Sequence, residues 1–154
     1  MSEVVRAPKT KGHLRQLEQL VREEIPAPPV ARLVGFTIVQ IELGRSVFEM
    51  QSGPQHANPM GTLHGGVLCD VADAAMGTAF ATTLEDDESF TTLDLNAKYF
   101  KPVWTAKLRA TARVTKRTRS LGLVECEVED EKGSLVAKLF STCMVLRGEE
   151  AKGR

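Results

Sequence analysis

Apolar and polar positions change their period along this chain, and each change marks an element. Leu14, Leu17, Leu20 and Val21 recur at helical spacing among charged residues, so residues 13–25 read as an amphipathic helix. The Pro26-Ala27-Pro28-Pro29 stretch ends it, because proline lacks the amide hydrogen a helix needs and clashes with the preceding turn. Residues 1–12 ahead of it are polar and expected to be disordered. Val30 to Gly35 has room for one short turn of helix. Two strand-like runs follow, Phe36–Glu42 and Val47–Gln51, joined as a hairpin at Leu43-Gly44-Arg45.

Residues 65–83 lose this alternation. From Val67 to Ala81 nearly every position is apolar or small, apart from Asp70, Asp73 and Thr78. A helix that is apolar all round is a buried helix, and Ala72, Ala74, Ala75, Gly77 and Ala79 would let it lie close against a sheet. Then the period becomes two. Thr91, Leu93, Leu95, Ala97 and Tyr99 alternate with Thr92, Asp94, Asn96 and Lys98, and Leu108, Ala110, Ala112 and Val114 alternate with Lys107, Arg109, Thr111 and Arg113. Two further runs, 121–129 and 134–146, flank the turn Asp130-Glu131-Lys132-Gly133. Strict alternation with short connections signals antiparallel, half-buried strands. The order is helix, two strands, one buried helix, four strands, which predicts an α+β architecture with an antiparallel sheet wrapped on the long helix.

A chain of 154 residues suits one domain, placed at 30–147, with a tail and helix at 1–29 and a disordered tail at 148–154. Lys plus Arg equal Asp plus Glu at 20 each, so no global field points to nucleic acid or an anionic membrane. The apolar runs are too short to span a bilayer, and the first twenty residues hold no signal-peptide stretch, so a cytoplasmic location is expected. Cys69, Cys126 and Cys143 are odd in number and widely spaced; they form no metal-ligand pattern and read as reduced, buried thiols.

The candidate chemistry lies in His56-Ala57-Asn58-Pro59-Met60-Gly61-Thr62-Leu63-His64-Gly65-Gly66, followed by Asp73. Gly65 and Gly66 open the long helix, where the first N–H groups have no intrahelical partner and the helix dipole adds positive charge. Without side chains, they let a ligand oxygen approach, which is the geometry of an oxyanion hole. Asp73 stands about two turns on in an apolar helix, where a carboxylate is costly unless a polar cavity faces it; the alternative is pairing with a strand. Asp70 is the rival acid on nearly the same face. His64 suits a backbone bond that fixes the helix start more than a general base, and His56 is expected to be solvated. Asn58 could orient a carbonyl or a water, or form an Asx-turn before Pro59. Thr92 shares a strand face with Asp94 and Asn96 and could place a water. Lys116-Arg117-Thr118-Arg119-Ser120 is either a solvated hairpin tip or a seat for nucleotide phosphates, with Lys98 and Lys101 adding slightly.

These residues resemble the hotdog-fold thioesterases, specifically the phenylacetate-pathway (PaaI-like) group within the 4-hydroxybenzoyl-CoA thioesterase superfamily. The likeness runs over roughly residues 30–146 and rests on Asn58…Gly61…Leu63-His64-Gly65-Gly66, on Asp73 nine residues after the histidine, and on Thr92-Leu93-Asp94-Leu95-Asn96…Tyr99…Pro102. It implies a hotdog fold, edge-to-edge homodimers that assemble into homotetramers, and a site shared between two chains. It implies that the Gly65 N–H polarises a thioester carbonyl, that Asp73 is general base or nucleophile, that Asn58 and His64 shape the carbonyl pocket, and that Thr92 positions water. Tyr99, Lys101, Arg117, Thr118, Arg119 and Ser120 would hold the CoA of an acyl-CoA substrate, with no cofactor and no metal. Related enzymes can carry Glu where this chain has Asp73, and the shorter arm favours activating a water.

Two other functions fit the same fold. A hydroxyacyl dehydratase would carry its histidine and acid in another local pattern than His64-Gly65-Gly66. A non-catalytic acyl-CoA sensor would append a DNA-binding domain and lack the acid at Asp73. The acyl group stays open at this stage, since Met60, Leu63, Met76 and Phe80 suit a core as well as a pocket.

Overall fold

The computed structural model describes residues 12–153. The expected tail at 1–11 lies outside them. The elements are α1 (Gly12–Val21), α2 (Pro29–Val34), β1 (Phe36–Glu42), β2 (Arg45–Gln51), α3 (Gly65–Ala81), β3 (Glu88–Tyr99), β4 (Lys107–Arg117), β5 (Leu121–Glu129) and β6 (Leu135–Arg147). The predicted order holds. The six strands form one antiparallel sheet in the order β1-β2-β4-β5-β6-β3, with α3 packed against its middle. This is the hotdog arrangement. Among the described residues no helix is long and apolar enough to cross a membrane.

The core follows from the two periodicities. Leu68, Val71, Ala72, Ala75, Met76, Ala79 and Phe80 form a stripe at three- and four-residue spacing on α3. They meet the inward set of β4 and β5, where Leu108, Ala110, Ala112, Val124, Cys126 and Val128 are buried at every second position. The small residues Ala72, Ala75 and Ala79, all fully buried, bring the helix axis close to the sheet. The sheet covers only that side. Gly66, Val67, Asp70, Asp73, Ala74 and Gly77 on the other side stay half-exposed or exposed, so α3 is not buried all round as its composition predicts.

Three further expectations change. The first helix ends at Val21 and not at residue 25. Glu23 adopts φ 58° and the Glu24 N–H reaches back to the Gln19 carbonyl, a left-handed cap that stops the helix before the prolines can. Residues 148–151, expected as disordered tail, form a 3-10 turn against β3 and β6. Cys69 is half-buried, whereas Cys126 and Cys143 are buried as expected; all three are free thiols.

Candidate functional site

The loop before α3 is held by its own side chains. The Asn58 Oδ1 accepts the Met60 and Thr62 N–H groups at 2.9 and 3.2 Å, and its Nδ2 donates to Thr62 Oγ1 at 2.8 Å. Asn58 therefore makes the Asx-turn, and one Nδ2 hydrogen is left for anything else. Gly61 takes φ 85° to close this turn. His56 is not solvated: its Nδ1 accepts the Gly53 N–H at 3.2 Å, so its Nε2 donates to the Val34 carbonyl at 2.8 Å, fastening the loop to α2. The Leu63 N–H bonds the Val103 carbonyl at 2.6 Å, which sets the height at which α3 starts.

At that start the donors divide. His64 is the N-cap, and its Nδ1 accepts the Gly66 N–H at 2.9 Å, the helix-fixing role expected of it. Among the described residues the Gly65 N–H has no acceptor. It is the one donor of the pair left for a ligand, at the positive end of the helix dipole. Tyr99 stands over it. The Tyr99 hydroxyl donates to the Gly65 carbonyl at 3.0 Å and lies 3.2 Å from Cys69 Sγ. A Cβ at position 65 would come within 2.9 Å of that hydroxyl oxygen, so any larger residue there must push the tyrosine ring aside. The bond to Cys69 and partial burial push the Tyr99 hydroxyl up to about 12, so it stays a neutral donor.

Asp73 and Thr92 come together across the α3–β3 seam. Burial raises the Asp73 carboxyl above its ordinary 3.8, and the nearby Asp70 charge raises it further, against a hydrogen bond with Thr92 that lowers it. An open groove of about 440 Å³ runs over both residues, with Cys69, Asp70 and Leu93 on its walls. The alternation of β3 places Thr92 with Asp94 and Asn96, but the structure separates them. A bulge between Thr92 and Asp94 shifts the register by one residue. Thr92 thus faces α3, on the side of Leu95, Ala97 and Tyr99, while Asp94 accepts the Thr142 N–H at 2.9 Å. The extra residue, Leu93, is 52% exposed.

The residues expected to hold CoA divide into three groups. Tyr99 and Lys101 border a shallow pocket beside Gly65, and Lys101 is ion-paired to Asp130 at 2.6 Å. Thr118 closes the β4–β5 turn, its hydroxyl bonded to Leu121, and the Ser120 carbonyl accepts the Val145 N–H. Arg117 is turned inward. Its guanidinium bonds the buried Glu88 at 2.9 Å and lies 5.4 Å over the Phe80 ring, and its Nε is buried without a partner. Phe80 is fifteen residues beyond Gly65, roughly 22 Å along the axis, so one protomer does not bring the 117–120 turn to Gly65. No local pattern in the sequence announces the ion cluster of Glu88 with Arg117 and Arg147, since Glu88 carries no motif and Arg147 is 59 residues away. Among the described residues no group of three or more His, Cys, Asp or Glu side chains is arranged to hold a metal ion.

Known proteins share this arrangement. A family model described as thioesterase superfamily matches residues 60–137, half of the chain. A phenylacetic acid degradation-related protein from Ralstonia eutropha superposes with a TM-score of 0.75 and 32% identity, over 82% of this chain and 97% of that one. Among curated relatives, human acyl-coenzyme A thioesterase 13 is 28% identical over 81% of this chain and 94% of its own length. A 1,4-dihydroxy-2-naphthoyl-CoA hydrolase from Listeria monocytogenes is 29% identical over 73% of this chain and 89% of its own length.

Proposed function

The chain belongs to the thioesterase superfamily, and on that footing we propose that it hydrolyses acyl-CoA thioesters to the free acid and CoA. One observation carries the site assignment: along α3 the fold leaves a backbone donor at Gly65 uncommitted and holds a carboxyl at Asp73 above its ordinary range. Thioester hydrolysis needs those two things, a donor aimed at the carbonyl oxygen and a base opposite it. The Gly65 N–H donates to the developing oxyanion. Asp73 takes a proton from a water that the Thr92 hydroxyl orients, the water oxygen bonds the carbonyl carbon, and the tetrahedral intermediate collapses with loss of the CoA thiolate, which takes up a proton. The Asp73 side chain is short, which favours this route over direct attack by its carboxylate. His64 and Asn58 serve as positioning residues that hold the loop and the first turn of α3.

Gly65 and Asp73 are eight residues apart, roughly 12 Å of helix rise. A carbonyl gripped by one and attacked through a water by the other spans roughly 10 Å at full stretch. A second copy supplies the shorter route, with Gly65 of one protomer facing Asp73 of its partner. The long edge strand β3, which carries Thr92 and the exposed Leu93 and has its outer edge unpaired, is the seam for this homodimer. Pairs of dimers form the tetramer. Such an assembly also brings the 117–120 turn of one chain toward the Gly65 end of another, which its own protomer does not. A cytoplasmic location fits three unpaired thiols.

Release of CoA thiol, followed with a thiol-reactive dye across acetyl-, medium-chain and aryl-CoA substrates, tests the reaction. Turnover with any of them, lost in Asp73→Asn, is expected. Tight acyl-CoA binding without turnover would identify a sensor instead, and turnover only of a hydroxyacyl substrate with loss of water would identify a dehydratase. Light scattering at assay concentration checks the assembly; an active monomer would overturn the shared site.

A further inference from the structure

We propose that a cavity between the N-terminal helices and α3 holds the acyl chain of the substrate, and that this chain is an apolar one of medium length. The proposal rests on the thioesterase reading and adds the substrate class to it. The cavity has a volume of about 570 Å³, larger than the groove at Asp73 and within the roughly 300–1,000 Å³ of small-molecule sites. Its walls are mostly apolar. Leu17 and Leu20 come from α1, Ile25 from the segment after it, Phe36 and Phe48 from β1 and β2, and Ala74 from α3. The two phenylalanine rings meet edge to face at 5.8 Å, which fixes the floor.

Its position connects it to the chemistry. Ala74 follows Asp73, so the cavity wall and the acid are neighbours on α3, separated by just over a quarter-turn of helix surface. Ala74 and Thr78, the two α3 residues on the cavity wall, are small; the Phe90 ring packs against Gly77 and Asp70 flanks Asp73, so the route from Asp73 to the cavity runs over Ala74. A thioester carbonyl placed at Asp73 can therefore send its first few carbons over the helix and the rest into the cavity. Short acyl groups end before they reach it. Each further methylene that enters leaves water for an apolar wall, which is worth roughly fourfold in binding. Glu23 and Glu24 also border the cavity, so an acyl chain ending in a carboxylate is repelled. Most of the lining, from Leu17 to Phe48, precedes residue 60, where the family match begins. The acyl preference is thus written largely outside residues 60–137, the part that the family model matches.

The test is the ratio of kcat/KM for decanoyl-CoA to that for acetyl-CoA, measured in the wild-type protein and three variants. Leu20→Trp narrows the cavity and is expected to lower the ratio tenfold or more. Leu17→Ala widens it and is expected to move the preferred chain length upward by two or more carbons. Arg15→Ala, exposed on the same helix but not on the cavity wall, is expected to keep the wild-type ratio and controls for damage to α1. If the wild-type protein hydrolyses acyl-CoAs but neither cavity variant changes the ratio, or all three change it equally, the cavity is not the acyl site although the thioesterase reading survives. If the wild-type protein releases CoA from no chain length, the thioesterase reading fails, and the acyl site with it.

Discussion

Around Gly65 and Asp73, α3 carries a backbone N–H that has no acceptor among the described residues and a carboxyl held above its ordinary value. At its other end, beside Phe80, the sheet brings in Glu88, Arg117 and Arg147 and pairs them with one another. Both ends mix charge with apolar packing, yet only one leaves a polar group open to a ligand, since the unpartnered Arg117 Nε at the other end is buried. The C-terminal end is closed by shape as well: a Cβ at Gly122 would fall 2.0 Å from the Phe80 ring, so β5 lies directly against it. A cluster of cations in the sequence is therefore weak evidence for a ligand, because the fold can spend them on its own carboxylates. An acid in an otherwise apolar helix, with no cation nearby to neutralise it, is stronger evidence.

The largest expected effect is on the closed end. Glu88 is 7% exposed at its side chain and receives both guanidinium groups. Burial pushes its carboxyl up, but the Glu85 N–H, the Arg147 hydrogen bond and the Arg117 and Arg147 charges outweigh this and hold it below its ordinary 4.5. Glu88→Gln leaves two cations facing each other in a partly buried site and is expected to cost about 3 kcal/mol of unfolding free energy. The sign of the pH dependence follows from the lowered value. The stabilisation is present above the unfolded-state pKa and is lost as pH falls through the folded one, so the wild-type advantage over Glu88→Gln should shrink on acidification below that range. Denaturant melts of the two proteins at neutral and acid pH measure both. An equal stability at neutral pH would show that the two ends do not differ as argued.

At the open end, Asp73→Asn is expected to lower kcat by roughly a hundredfold while the fold is kept, the scale of losing a general base. Asp70→Asn should do much less, because Asp70 acts only as a neighbouring charge. If Asp70→Asn abolishes turnover and Asp73→Asn spares it, the assignment is reversed. Because the Asp73 pKa is raised, its acid form persists to higher pH than an ordinary aspartate, and kcat should fall as pH drops through that raised value. Removing Asp70 removes one cause of the shift, so the acid limb of the pH–kcat profile should move down in Asp70→Asn. The raised value also means that ionised Asp73 costs stability above its pKa, so Asp73→Asn should melt slightly higher than wild type at neutral pH.

Much of this was readable in the sequence, because periodicity reports what an element buries. The apolar run of α3 and the alternation of β4 and β5 give the layers, although the run did not show that only one face of α3 is covered, and the glycines before Asp73 mark the candidate site. Two kinds of fact were not readable. The bulge at Leu93 turns Thr92 toward Asp73, and no residue type marks it: Thr-Thr-Leu-Asp-Leu alternates as well without a bulge as with one. The partner of Arg117 lies 29 residues away at Glu88, so no local pattern shows that this cation is already taken. Periodicity sees faces; it does not see which long-range pair satisfies a charge.

The smallest expected effect separates the two arginines of the 116–120 run. Arg117 is committed to Glu88 and Phe80, whereas the Arg119 side chain is exposed and, among the described residues, only its backbone carbonyl is engaged, by Arg147. Of the two, Arg119 is the one with donors free for a CoA phosphate brought in by another protomer. Arg119→Ala should raise KM for acyl-CoA by severalfold with kcat unchanged, because a phosphate contact is equal in the ground and transition states. The effect should fade as salt rises and be absent with an N-acetylcysteamine thioester, which carries the acyl arm but no nucleotide. Arg117→Ala should behave differently: it strips Glu88 of one partner and should lower the melting temperature, with equal consequences for the full and the truncated substrate. If Arg117→Ala instead raises KM for acyl-CoA alone and melts like wild type, its contact with Glu88 opens in solution, and the closed end of α3 is as available to a ligand as the open one.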